Sequence, residues 1–192
     1  MNYSIYESTD NFVYGRINFP QIDSIHKYIY KAIDEAEVET GEIGDEDSVL
    51  DTEARKGKVA WIDDAPELRQ SIDSLAKEIN DEFFKVDISD PNPDYQMTFY
   101  LDTRDHYDWH QDYYEEDGED YVRSLSMSLC LTPANYYEGA EFFIKDGSES
   151  NVRVFKMNYG EFIFFPSVIE HRVNALRSGI RHSLVVWNGH EG

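Results

Sequence analysis

The chain is poor in the features that mark secreted, membrane-spanning or nucleic-acid-binding proteins. Cys130 is its only cysteine, so no disulfide can close within the chain, and a reducing cytoplasm is the expected setting. No apolar run approaches the roughly eighteen residues needed to span a bilayer. The first ten residues are polar and lack the basic-then-apolar layout of a secretory leader. Basic residues are scarce: 17 Lys and Arg stand against 39 Asp and Glu, a formal charge of −22. Such a surface disfavours the phosphate backbone, which is bound by cations that displace counterions. It favours a basic partner, or serves solubility alone. No membrane or nucleic-acid partner is expected, and the chain should be a monomer or a weak oligomer. Internal repeats and low-complexity linkers are also missing, so 192 residues read as one domain.

The patterning divides that domain in two. In the first part, residues 1–94, the stretch 11–19 alternates as a strand that Pro20 ends. Ile22, Ile25, Ile29, Ala32 and Ile33 recur at helical spacing, predicting a helix over 22–36. Residues 37–57 are rich in acidic residues, show little periodicity and are expected to form a mobile loop. Residues 58–62 read as a short strand. A second helix is predicted to about residue 84, capped by Asp63 or Asp64, with Pro66 in its first turn. From 95 to 188 the pattern is of strands alone: 95–101, 107–112, 125–131, 141–144, 152–157, 161–165, 171–175 and 182–187, separated by Gly-containing turns. The expected fold is mainly β with helices: a double-stranded β-helix, or jelly-roll, with the N-terminal helices packed on one sheet.

Within the strand-rich part lies His110-Gln111-Asp112. One intervening residue places His110 and Asp112 on the same face of an extended strand. His171, after the apolar run 162–166, can supply a second imidazole from a distant strand. Two histidines and one carboxylate hold Fe(II) on one face and leave the opposite positions open. Ten residues later Arg181 enters the apolar run 182–187, where a cation is costly unless it meets an anion. Singly, each residue has an ordinary structural reading: a hydrogen-bonded pair at a strand edge, a satisfied histidine near a turn, an arginine paired with one of many acids. Their order and their predicted elements favour the joint reading. His26, His106, His182 and His190 lie outside it.

With these residues in hand, residues 95–187 resemble the Fe(II)- and 2-oxoglutarate-dependent dioxygenases of the prolyl 4-hydroxylase branch. The flanks are similar to the prolyl hydroxylases acting on hypoxia-inducible factor: Tyr100 and Tyr107 before the motif, Arg123, Trp187 on the strand that begins at Arg181, and Trp61 within residues 57–62. The resemblance implies that His110, Asp112 and His171 are the catalytic metal ligands. It implies that Arg181, with Tyr100 and Ser183, binds 2-oxoglutarate, and that Trp61, Tyr107, Arg123 and Trp187 contact substrate. It implies Fe(II), 2-oxoglutarate and O2 as cofactors and cosubstrates, with ascorbate as an auxiliary. Where those enzymes carry a tyrosine for the distal carboxylate, this chain offers Leu129 or Cys130.

The expected function is hydroxylation of prolyl residues in a protein or peptide, a basic, proline-containing one by the charge argument. Oxidation is coupled to decarboxylation of 2-oxoglutarate to succinate and CO2. An enzyme of the same superfamily acting on a free amino acid or small molecule is the alternative. From a different class comes a noncatalytic, cupin-like metal-binding jelly-roll, although cupin sites usually carry a His-x-His that this chain lacks.

Overall fold

The computed structural model describes residues 1–33, 37–40, 54–63, 65–113, 121–148 and 150–191. In chain order the elements are β1 (Tyr3–Ser8), β2 (Val13–Ile17), α1 (Gln21–Ile33), β3 (Glu39–Thr40), β4 (Arg55–Lys56), β5 (Lys58–Trp61) and α2 (Pro66–Ile79). A π-helical turn, Asn80–Phe84, extends α2. There follow β6 (Asp94–Tyr100), β7 (His106–His110), β8 (Tyr121–Cys130), β9 (Tyr137–Gly139), β10 (Phe142–Lys145) and β11 (Val152–Phe155). The last four are β12 (Glu161–Pro166), β13 (His171–Val173), β14 (Leu176–Gly179) and β15 (Arg181–Glu191). Among the described residues no helix is long and apolar enough to cross a membrane.

A large sheet runs in the order β1-β2-β12-β8-β15-β6-β5-β3, and a smaller one in the order β11-β10-β13-β7-β4. The alternation along the central strands explains why the large sheet separates two environments. On one face Tyr95, Met97 and Phe99 of β6, Leu184 and Val186 of β15, Leu125, Met127 and Leu129 of β8, and Phe162 and Phe164 of β12 are buried. They share one apolar cluster with Ile22, Ile25 and Ile29 of α1 and Leu68, Ile72 and Leu75 of α2. The opposite face holds a second cluster, in which Tyr100, Cys130, Ile163 and Phe165 meet Phe142 and Ile144 of β10 and Val173 of β13. A one-residue slip of any central strand would exchange the two faces, so the register is strongly specified.

Several local expectations are corrected. The described part of the first helix ends at Ile33, and residues 34–36 fall outside the described residues. Asp63 does not cap the second helix: Ala65 holds the N-cap position without a side-chain bond, and Asp64 lies outside the described residues. Pro66, whose missing N–H costs nothing there, opens the helix instead. Of the expected loop 37–57, residues 41–53 are outside the described residues, while Glu39–Thr40 and Arg55–Lys56 are short strands pairing with β5 and β7. The polar N-terminus forms β1, which pairs with β2. A separate two-stranded sheet pairs β9 with β14, where Gly139 and Gly179 adopt φ of +77°. A Cβ at Gly139 would lie 2.2 Å from the Ala175 carbonyl oxygen, so any side chain is barred there.

His182 points away from Arg181, as alternation requires, and joins the helix-facing side. The Tyr30 hydroxyl of α1 donates to its Nδ1 at 2.6 Å, and His26 packs edge-on to Tyr30 with ring centroids 4.5 Å apart. Burial lowers the pKa of both histidines. The unfolded chain therefore takes up protons first, and stability falls as pH drops below about 6.5. Replacing His182 by Leu is expected to flatten that slope in chemical unfolding measured between pH 7.5 and 5. An unchanged slope would remove His182 from the account.

Candidate metal centre and its pocket

Antiparallel pairing of β7 with β13 sets His110 directly opposite His171. The strand stops there, so the expectation that Asp112 lies on it is corrected. Asp112 sits just beyond the strand end, where its N–H and that of Tyr113 donate to the Ser167 carbonyl at 3.0 and 2.9 Å. His106, expected in a turn, is the first residue of β7. The three functional side chains still converge. Asp112 Oδ1 lies 3.6 Å from His110 Nε2, and Oδ2 lies 3.5 Å from His171 Nε2. One ligand atom from each residue fits within 4.8 Å of the other two.

The orientation of each imidazole is settled by its other nitrogen. His110 Nδ1 donates to the Asp108 carbonyl at 2.7 Å, and His171 Nδ1 to the Ile169 carbonyl at 3.0 Å. With Nδ1 protonated, Nε2 of both rings carries the free lone pair, the arrangement a metal ligand needs. Burial lowers the His171 imidazole to about 4, outweighing the upward pull of Asp112. Burial also opposes ionisation of Asp112, but His171, His110 and the Ser126 hydroxyl hold its carboxyl well below the usual range. At neutral pH Asp112 is a carboxylate and His171 a neutral ring. Asp112 Oδ2 is buried and meets no hydrogen-bond donor among the described residues. That orphaned anionic oxygen, beside two lone pairs, fits a divalent cation.

A cavity open to solvent adjoins this trio. Its floor is the inner face of the large sheet, where the register sets Thr98 beside Ser183 and sets Gln96 and Ser128 on either side of Val185. Tyr100, Tyr107, Ser183 and Trp187, all expected at the site, line it. Trp61 and Arg123 do not: they sit behind Trp187, Trp61 at 5.9 Å between ring centroids and Arg123 with its guanidinium 4.1 Å from the ring centroid. Arg123 is also paired with Asp94 at 3.0 Å.

Arg181 lies beside this floor, paired in register with Tyr100 and wholly buried. Among the described residues it forms no ion pair. Its Nη1 donates to Ser183 Oγ at 3.3 Å, Nη2 reaches Met157 Sδ at 3.9 Å, and Nε has no partner. Burial opposes its charge, but Cys130, Tyr137 and Tyr100 more than offset this and keep it cationic. Of the two candidates for the missing tyrosine position, Cys130 faces this side and Leu129 the helix side. Tyr137, not anticipated from the sequence, brings its hydroxyl to the same corner by donating to the Met157 carbonyl. Arg55, Gln96 and Thr98 were also missed as lining residues. The signal for Gln96 and Thr98 was present, since polar residues alternate there with Tyr95, Met97 and Phe99. Arg55 lay at the end of an acidic stretch and gave none.

Residues 95–189 match the 2OG-Fe(II) oxygenase superfamily. These residues form a domain of that superfamily. A PKHD-type hydroxylase of Prochlorococcus marinus (strain AS9601) is 41% identical over 63 residues, which is 33% of this chain and 28% of the relative. The match thus spans less than a third of the length of that curated relative. Among solved structures, a prolyl hydroxylase from Trichoplax adhaerens, in complex with a hypoxia-inducible-factor peptide fragment, superposes with a TM-score of 0.73 at 17% identity, covering 94% of this chain and 84% of that one. A Pseudomonas putida prolyl-4-hydroxylase gives 0.69 at 17% identity, covering 95% and 94%. At such identities the likeness establishes the jelly-roll fold, which is mainly β with few helices.

Metal loading should be measurable without substrate. Adding Co(II) to the chelator-treated oxygenase is expected to raise its melting temperature by several degrees, because a ligand that binds only the native state stabilises it. Asp112→Ala should abolish the rise while leaving the metal-free protein folded, as it removes a buried carboxylate that lacks a donor at Oδ2. A rise of equal size in the variant would exclude Asp112 as a ligand.

Proposed function

We propose that this oxygenase is an Fe(II)- and 2-oxoglutarate-dependent hydroxylase acting on prolyl residues of a protein or peptide in the cytoplasm. The observation that carries the reading is the pairing of an anionic ligand trio with a buried, anion-less Arg181 beside one cavity floor. His110, Asp112 and His171 would hold the iron, which with 2-oxoglutarate and O2 supplies oxidation of a C–H bond coupled to decarboxylation to succinate and CO2. Arg181 binds the distal carboxylate of the oxo acid, since a guanidinium offers the two-pronged geometry a carboxylate accepts. Ser183, already its partner at 3.3 Å, and Tyr100 orient that end, and Tyr137 replaces the tyrosine missing from β8. The aromatic lining formed by Tyr100, Tyr107, Phe142, Phe165 and Trp187 excludes water from the reacting bond.

Substrate enters past Trp187, with Trp61 and Arg123 buttressing that wall. Trp61 is 40% exposed, which suits an aromatic that meets a peptide at the mouth. The charge of −22 steers a basic substrate toward the site. The whole chain is read as one domain, in which α1 and α2 back the large sheet and keep the floor rigid. Superfamily membership and the complete ligand trio argue against a noncatalytic, cupin-like metal binder.

Basic, proline-containing peptides incubated with the oxygenase, Fe(II), 2-oxoglutarate and ascorbate should gain one oxygen atom by mass spectrometry, with one succinate formed per hydroxylation. Arg181→Gln should raise the 2-oxoglutarate requirement roughly hundredfold, the scale of breaking a buried charged pair. Succinate formed with free L-proline and with none of the peptides would replace the peptide reading by the small-molecule one. Peptide hydroxylation that Arg181→Gln leaves untouched would sink the anchoring role.

A further inference from the structure

The two histidines of the centre are supported unequally. His171 is packed by Phe142, stacked at 5.5 Å, and by Phe165 at 4.5 Å between ring centroids. His110 is the more open, with a side-chain exposure of 15% against 7%. Besides His171 itself, one ring among the described residues supports it: Tyr107, stacked at 3.4 Å with the planes 13° apart. That contact depends on an irregularity. Three residues of β13, from His171 to Val173, stand opposite four of β7, from His110 back to Tyr107. In a regular strand, side chains three apart face opposite ways; the extra residue of the bulge turns both toward the pocket. The Nδ1 bond to the Asp108 carbonyl fixes one point of the His110 ring and leaves rotation about that bond, which only a stacked neighbour can stop.

Tyr107 is held in turn by Arg55. The guanidinium lies 4.6 Å from the Tyr107 ring centroid, while its Nη2 donates to Gln96 Oε1 at 2.9 Å. The backbone fixes the same alignment: Arg55 is the register partner of Tyr107, and Asp108 N–H donates to the Ala54 carbonyl at 2.8 Å. The result is a column of guanidinium, phenol and imidazole, anchored at one end to the large sheet through Gln96 and ending at the metal site.

Resting on the metal-centre reading given under Proposed function, we infer that Arg55 is a positioning residue for that centre, acting through Tyr107 on the plane of His110. It touches neither the metal nor the reacting atoms. Its planar, permanently charged group both stacks on the phenol and donates to Gln96, which neither lysine nor methionine reproduces.

The test is a double-mutant cycle on the full chain, with Co(II) alone as the probe and its d–d absorption as the readout. Tyr107→Leu should weaken Co(II) binding by roughly tenfold, the lower end of the range found when groups directly behind metal ligands are changed, and Arg55→Met, one contact further out, by roughly fivefold. Tyr107→Phe, which keeps the stack, should bind within about twofold of wild type. In the Tyr107→Leu background Arg55→Met should add nothing. A full fivefold loss in that background, or no loss in wild type, overturns the inference. The second readout needs no metal: the His110 imidazole resonances of the metal-free protein should shift in Arg55→Met, with those of His171 unmoved. Unmoved His110 signals overturn the inference even if Tyr107→Leu fails to fold. Wild-type protein that binds no Co(II) would instead defeat the metal reading, leaving the column to be decided by the resonances alone.

Discussion

A guanidinium buried without an anion sets terms for the rest of the structure. Taking Arg181 out of water costs several kcal/mol even after relaxation, and the neighbours at hand are a serine hydroxyl, a thioether and three aromatic or thiol groups. Nothing among them repays a full charge. The fold tolerates the deficit because Arg181 stands at the start of β15, in register with Tyr100 of β6, on a strand that pairs with β8 from Ser183 onward. At the His110–Asp112–His171 trio the opposite deficit recurs, since Asp112 is an ionised carboxylate with one oxygen unsatisfied among the described residues. A cation at the trio and an anion at Arg181 would complete the molecule electrostatically. Two such deficits in one fold are the pattern expected of functional sites, where stability is given up locally.

The alternation of the three central strands makes this arrangement possible. One face must be apolar for the helices, the other must present hydroxyls, an amide and charges to a cavity. Period-two patterning meets both demands with a single sequence, as in Gln96-Met97-Thr98-Phe99-Tyr100. Legibility of the fold followed from this. Strands 95–101, 125–131, 161–165 and 182–187 were readable because their burial contrast is strong, and the ligand trio was readable because its residue types are rare on such elements.

What escaped the sequence did so for physical reasons. Asp112 was expected on a strand, yet a ladder partner ended at His110 and a turn carbonyl took over, a matter of distant pairing that local pattern does not encode. The helix cap went to Ala65 because Pro66 already suits the first turn without an acceptor. Tyr137 reached Arg181 through a long-range strand pair that depends on two left-handed glycines, and Arg55 reached Tyr107 through a two-residue strand too short to carry a period. Trp61 and Arg123 were legible as residue types, but their place behind Trp187, rather than in the cavity, depends on packing.

The dependence of Asp112 on Ser167 has a mechanical consequence. Ser167 lies in the connection between β12 and β13, four residues before His171, and its hydroxyl bonds Ser126 on β8 at 2.9 Å. Two of the three candidate ligands are therefore tied to one short span of chain, whereas His110 reaches it only through the pairing of β7 with β13. A displacement of that span carries Asp112 and His171 together and is passed to His110 across a single ladder, so the spacing of the trio is set by how that one ladder holds.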